Sequence, residues 1–138
     1  SDVTWPCSVA LRGELGAGKT TFARGVLRAL GVSGPIKSPT YALVESYATA
    51  RGEVHHLDAY RIESPEDFEA RGGFEYFASP SLRLVEWPER VDGLLPPADL
   101  AVRLAPSTGG DGRTLEIVAT TTAGERCAAE IRKALEAP

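Results

Sequence analysis

The sequence of 138 residues contains no methionine, no asparagine and no glutamine, and only two cysteines. Cys7 and Cys127 stand near opposite ends of it, with no Cys-x-x-Cys pair, which argues against a zinc site. Two core thiols in a reducing compartment are the expectation. No apolar run approaches the ~20 residues that a membrane-spanning helix needs. No basic stretch followed by an apolar segment opens the chain, so the expected location is the cytoplasm, away from any membrane. A basic surplus is also missing: the net charge is −4 and the sequence pI about 5.2. A protein that grips nucleic acid unaided usually carries a basic face, so work on RNA would go through a partner. With no initiator methionine, and with Ser1 opening directly into a strand-like stretch, the natural N-terminal segment is expected to be missing.

What is present is the composition of a globular protein, 43% hydrophobic and 25% charged, at the length of one ordinary domain. Cys7 to Arg12 reads as a short buried strand. A helix is predicted from Thr20 to Leu30, with Phe22, Ala23, Val26, Leu27 and Leu30 on one face and Gly31 as its stop. Tyr41 to Tyr47 and Val54 to Leu57 read as a hairpin around Arg51-Gly52. Ser64-Pro65-Glu66-Asp67 is a helix start, with Ser at the N-cap and Pro in the first turn, and Gly72-Gly73 soon breaks that helix. Leu82 to Val85 is a strand, and Pro88 to Leu95 holds one or two helical turns. Leu100 to Leu104 and Thr114 to Thr121 form a second hairpin across Ser107 to Gly112, and Ala123 to Leu135 closes the chain as a helix. The alternation predicts one α/β domain over residues 1–138, with a mixed, partly antiparallel central sheet flanked by helices.

Between the first strand and the first helix lies Gly13-Glu14-Leu15-Gly16-Ala17-Gly18-Lys19-Thr20, which satisfies G-x-x-x-x-G-K-[ST] at every fixed position. Glycines let successive backbone N–H groups curl around phosphate oxygens. The helix that follows directs its unpaired N–H groups and positive dipole end at the same charge. In this pattern Lys19 reaches the β and γ phosphates of a nucleoside triphosphate and the Thr20 hydroxyl binds Mg²⁺, with Thr21 adjoining. A glycine-rich turn that merely precedes a helix would not require the strand–loop–helix context found here.

Such a loop needs a further acid on the metal side. Val54-His55-His56-Leu57-Asp58 ends a strand with an acid, and Leu82-Arg83-Leu84-Val85-Glu86 does the same. In α/β sheets that edge is where ligands bind. A turn-forming Asp58 and a surface Glu86 are the plain alternatives. Ser38-Pro39-Thr40-Tyr41 lies where switch loops place a threonine near the γ-phosphate, although a simple proline turn accounts for the same letters. His55 and His56 are adjacent, so on a strand they face opposite sides and cannot chelate one ion together. Arg61 could face phosphate or form a structural ion pair. Trp87 is either a core anchor or an exposed contact residue.

The ordered set GELGAGKTT, SPTY, HLDAYR and VEWPE resembles the TsaE family, bacterial ATPases of tRNA threonylcarbamoyladenosine biosynthesis, from Val9 to about Leu104. The phosphate loop alone would not identify a family; the four motifs in this order do. The resemblance implies a mixed-sheet P-loop fold, ATP and Mg²⁺ as ligands, and assembly with TsaB and TsaD proteins that modify an anticodon-loop adenosine, so that tRNA is met indirectly. ATP hydrolysis in such proteins supports turnover of the complex rather than the group transfer itself. It also implies phosphate binding by Lys19, metal binding by Thr20, and the roles of strand-end aspartate for Asp58, magnesium-linked catalytic glutamate for Glu86 and switch-loop threonine for Thr40. Family members carry a segment before the first strand that touches the nucleotide base, whereas only Ser1 to Pro6 precede Cys7 here. After Leu104 the sequence offers a hairpin and a helix by pattern alone.

Two other functions compete. A small-molecule or nucleotide kinase on the same fold would need an arginine-rich lid, and Arg71 and Arg90 are scattered. A GTPase switch selects guanine through Asn-Lys-x-Asp, which a chain without asparagine cannot form. Trp87 and the loop from Ser38 to Tyr41 are the expected surface for a partner, both being near the γ-phosphate end.

Overall fold

In the computed structural model the described residues are 7–13, 18–37, 39, 43–49, 51–78, 80–91, 93–95, 97–106 and 113–136. Six strands, β1 (Cys7–Arg12), β2 (Val44–Thr49), β3 (Gly52–Asp58), β4 (Leu82–Glu86), β5 (Leu100–Pro106) and β6 (Arg113–Ala119), form one sheet in the order β2-β3-β4-β1-β5-β6. The central β3-β4-β1-β5 pairs are parallel, and the β2-β3 and β5-β6 pairs at the two sides are antiparallel. The mixed sheet read from the sequence is thus present, each hairpin replacing a crossover helix at one side.

Alternation along the strands divides the core between two faces. Cys7, Val9 and Leu11 of β1 join Leu84 of β4 and Leu100 and Val102 of β5 on one face. Against it pack α1 (Lys19–Ala29), through Ala23, Val26 and Leu27, and α3 (Thr122–Glu136), through Cys127, Ala128 and Ile131. Both cysteines are free and buried, and a hydrogen bond donated to Cys7 together with burial pushes the Cys127 thiol well above its ordinary pKa. Such thiols behave as small hydrophobes rather than as nucleophiles. A second cluster of Leu43, Ala59, Ile62, Phe68 and Val91 is built around α2 (Pro65–Ala70). Ser64 caps α2 by accepting from the Asp67 backbone N–H at 3.0 Å, as its sequence predicts. The stretch after Gly72 makes a 3-10 helix, Gly73–Phe77, too short to show a hydrophobic period in the sequence. It lays Phe74 edge-on against Phe68 with centroids 4.9 Å apart.

One helix start is held by backbone proximity. Asp99 accepts from the Ser8 N–H at 2.9 Å and from the Thr121 hydroxyl at 2.9 Å, tying the entry of α3 to β1. Thr121 in turn accepts from the Gly124 N–H at 2.9 Å. A Cβ on Gly124 would come within 1.9 Å of the Asp99 carbonyl oxygen, which cannot swing aside as a side chain could. Gly124→Ala is therefore expected to destabilise the fold by about 1–3 kcal/mol despite its better helix propensity. Denaturant unfolding of the variant checks this, and a stability equal to or above that of the parent would contradict the close approach.

Candidate functional site

β1 ends at Arg12, and Gly13, at φ 152°, turns the chain in a conformation open only to glycine. Gly18 forms the N-cap of α1 at φ 98°, with no side chain bonded to the helix end and no acid in the first turn. The first N–H groups of α1 and its positive dipole end are therefore not compensated by the helix itself. Glu14, Leu15, Gly16 and Ala17, the middle of the expected phosphate loop, lie outside the described residues, as do Ser38, Thr40 and Tyr41 of the expected switch loop.

Lys19 is the first residue of α1 and is only 5% exposed. Its Nζ donates to the Gly13 carbonyl at 2.8 Å and lies 3.5 Å from the centroid of the Trp87 ring. Both partners are uncharged. Burial lowers the Lys19 pKa, while the negative charges of Glu86, Glu89 and Asp58 pull it back up. So held, the Lys19 ammonium stays beside Gly13 within the field of these three acids.

Trp87 pays a conformational cost to be there, standing at φ 57°, the one positive φ among the described non-glycine residues. Left-handed backbone costs a bulky residue about 1–2 kcal/mol. Pro88 follows and disfavours the right-handed helical region for the residue before it, and the 3-10 helix Pro88–Val91 begins immediately. Cation–π contact with Lys19 and a ring contact with Tyr60, centroids 4.9 Å apart, offset this strain.

The acids come together through strand register. Leu11, Glu86 and Asp58 stand opposite one another on β1, β4 and β3, at the carboxyl end of the three parallel strands. Glu86 is 3% exposed, and the Thr20 hydroxyl lies 3.0 and 3.2 Å from its two carboxylate oxygens. Burial raises the Asp58 pKa, the Tyr60 N–H (3.0 Å from Oδ1) lowers it, and the Glu86 charge raises it further. The structure thus brings together Gly13, Gly18, Lys19, Thr20, Asp58 and Glu86. Thr21 is on the exposed side of α1, in a groove shared with Gly18, Phe22, Leu104 and Leu115 rather than with the acids. Arg61 is exposed just beyond β3.

Two contacts escaped the sequence reading. One is Trp87 as the partner of Lys19, which nothing in the letters VEWPE announces. The other is His56, whose Nε2 lies 2.6 Å from Glu86 Oε2. Its signal was available: His56 precedes Asp58 by two and so shares its face of β3, while His55 turns to the other face and bonds Ser46 Oγ at 2.8 Å. A cavity of about 530 Å³ lies away from these groups, across Ala10, Val85 and Ala101 of the sheet and beneath Phe77, Val91 and Leu95. Its described lining is mostly apolar, with Arg12 the one charged side chain.

Comparison with known proteins adds the identity. The family model for threonylcarbamoyl adenosine biosynthesis protein TsaE matches residues 2–115. The chain is 44% identical over 117 residues to the tRNA threonylcarbamoyladenosine biosynthesis protein TsaE of Haemophilus influenzae, covering 85% of this chain and 73% of that one. It is 32% identical over 125 residues to the protein of the same name from Bacillus subtilis, covering 91% and 77%. The crystal structure of Bacillus subtilis YdiB superposes with a TM-score of 0.68 at 27% identity, over 92% of this chain and 77% of that chain. With the family model matching most of its length and these relatives covering most of theirs, the chain belongs to the TsaE family of tRNA threonylcarbamoyladenosine biosynthesis.

Proposed function

We propose that this family member binds ATP with Mg²⁺ on the segment Gly13 to Thr21 and hydrolyses it slowly, supporting turnover of a complex of TsaB and TsaD proteins that modifies tRNA. The observation that carries the reading is the Thr20 hydroxyl set against both oxygens of a buried Glu86, with Asp58 in register beside it. These are hard oxygen donors next to an uncapped helix N-terminus, which is the donor set that magnesium prefers. Among the described residues no group of three or more His, Cys, Asp or Glu side chains forms a metal cage. That suits Mg²⁺, which keeps several waters and shares phosphate oxygens rather than filling an all-protein shell.

In this reading Lys19 leaves the Gly13 carbonyl and the Trp87 ring for the β and γ phosphates, and the loop N–H groups hold the rest. Thr20 and Asp58 would hold the magnesium, which would neutralise charge that develops on the phosphate oxygens. Glu86 would serve the metal side or align the attacking water, and Thr40 would sense the γ-phosphate. Preorganised charge carries most of the catalysis. The chain has no glutamine to orient water, and elements of that kind are worth ~10³-fold or more, hence a slow isolated enzyme. With a net charge of −4 the chain is suited to meet tRNA through its partners rather than directly.

The direct test is ATP hydrolysis with magnesium by the chain alone and with TsaB, TsaD and tRNA. Stimulated hydrolysis that sustains repeated modification is expected; no binding and no stimulation would reject the reading. Lys19→Ala should weaken ATP binding by about 100-fold or more while leaving the far-ultraviolet spectrum unchanged, because Nζ serves the ligand and not the core. A variant that unfolds at ordinary temperature would make that lysine structural. Asp58→Ala and Glu86→Ala should each lose hydrolysis, and turnover retained with magnesium would remove them from the mechanism. In a Trp5→Phe background the emission of Trp87 should change when ATP is added, as the ammonium 3.5 Å from its ring departs. An unaltered spectrum at saturating ATP would mean that Lys19 stays where it is.

A further inference from the structure

We propose that His56 is a positioning residue for Glu86: its imidazole bonds one carboxylate oxygen and so fixes the orientation in which the carboxylate meets the Thr20 side of the site. The inference rests on the ATPase reading and adds to it a residue and a role.

His56 is 1% exposed, among apolar neighbours on the same face: Val54 two residues before it on β3 and Leu84 opposite it on β4. A leucine would fill such a place at lower cost, since a buried polar ring must find partners. The ring finds one. Its Nε2 reaches diagonally past Leu84 to Glu86 Oε2 at 2.6 Å, while Nδ1 is buried without a partner among the described residues. This asymmetry decides the tautomer. A proton on Nδ1 would leave a buried donor unsatisfied and turn the Nε2 lone pair on the carboxylate. A proton on Nε2 makes a charge-assisted bond and leaves only a lone pair unpaired. Nε2 therefore donates to Oε2.

The consequence falls on Glu86. The terminal torsion of a glutamate is broad and soft, so a carboxylate alone does not hold one orientation. A rigid ring closed in by the core removes that freedom at Oε2. The carboxylate is thereby held with both oxygens against the Thr20 hydroxyl, 3.0 Å from Oε2 and 3.2 Å from Oε1, and Oε1 is the oxygen that the ring does not engage. Neither Lys19 nor Gly13 bonds to His56. Loss of the imidazole should therefore slow turnover without weakening nucleotide binding, whereas a merely structural histidine would disturb stability and both constants together.

His56→Leu and His56→Gln in the whole chain separate these cases. The leucine variant should bind a fluorescent ATP analogue within about threefold of the parent while its kcat falls ~10–100-fold, the usual size of a lost outer-shell partner. Glutamine, whose amide N–H can reach Glu86, should recover most of the rate. Proton NMR of the nucleotide-free chain supplies a readout independent of turnover. A strongly deshielded imidazole N–H should be present in the parent and absent from both His56→Leu and Glu86→Ala. An unchanged kcat in His56→Leu would overturn the proposal. So would parallel loss of kcat and affinity with no recovery by glutamine, or an imidazole signal indifferent to Glu86→Ala. Failure of the ATPase reading looks different: the unmutated chain would neither bind nor hydrolyse ATP, and the positioning role would fall with it.

Discussion

Parallel pairing of β3, β4 and β1 puts Asp58, Glu86 and Leu11 side by side at one edge of the sheet, and the rest of the site is built on that edge. β1 is central, and Gly13 and Gly18, both at positive φ, mark the described ends of the connection from it to α1. The Thr20 hydroxyl then meets the Glu86 carboxylate at 3.0 Å although the two are far apart in sequence. Register, rather than any local motif, makes that contact.

The same edge concentrates unfavourable terms. Lys19, His56 and Glu86 are buried, Trp87 is held in left-handed backbone, and desolvation weakens the charged forms of both Lys19 and Asp58. None of these would be chosen to stabilise a core. They sit beside a large apolar cluster shared by α1, α3 and the sheet, which provides the burial to carry them. Strain gathered at one place and supported by ordinary packing elsewhere is a pattern of functional sites.

Much of this was legible in the letters. The phosphate loop is a local pattern, and its strand–loop–helix setting could be read from hydrophobic period alone. Ser64-Pro65 announced its helix, and both hairpins could be read from alternating residues around turn formers. The acids Asp58 and Glu86 were visible as strand ends. The 3-10 helix Gly73–Phe77 was not, because its three-residue turns are too short to show a period and its aromatic residues are placed by packing on Phe68. His56 was passed over because two adjacent histidines suggested a failed chelate, when one of them belonged to the Asp58 face and the other to Ser46.

Sequence by itself therefore determined the glycine-rich loop pattern, the order of elements and the family, since each depends on residues near one another along the chain. Only the tertiary structure decided which side chain meets which acid. The His56–Glu86 bond at 2.6 Å and the Lys19–Trp87 contact at 3.5 Å join elements separated by many residues. Their geometry follows from strand register and from one strained turn before Pro88, and neither quantity is carried by any short stretch of sequence.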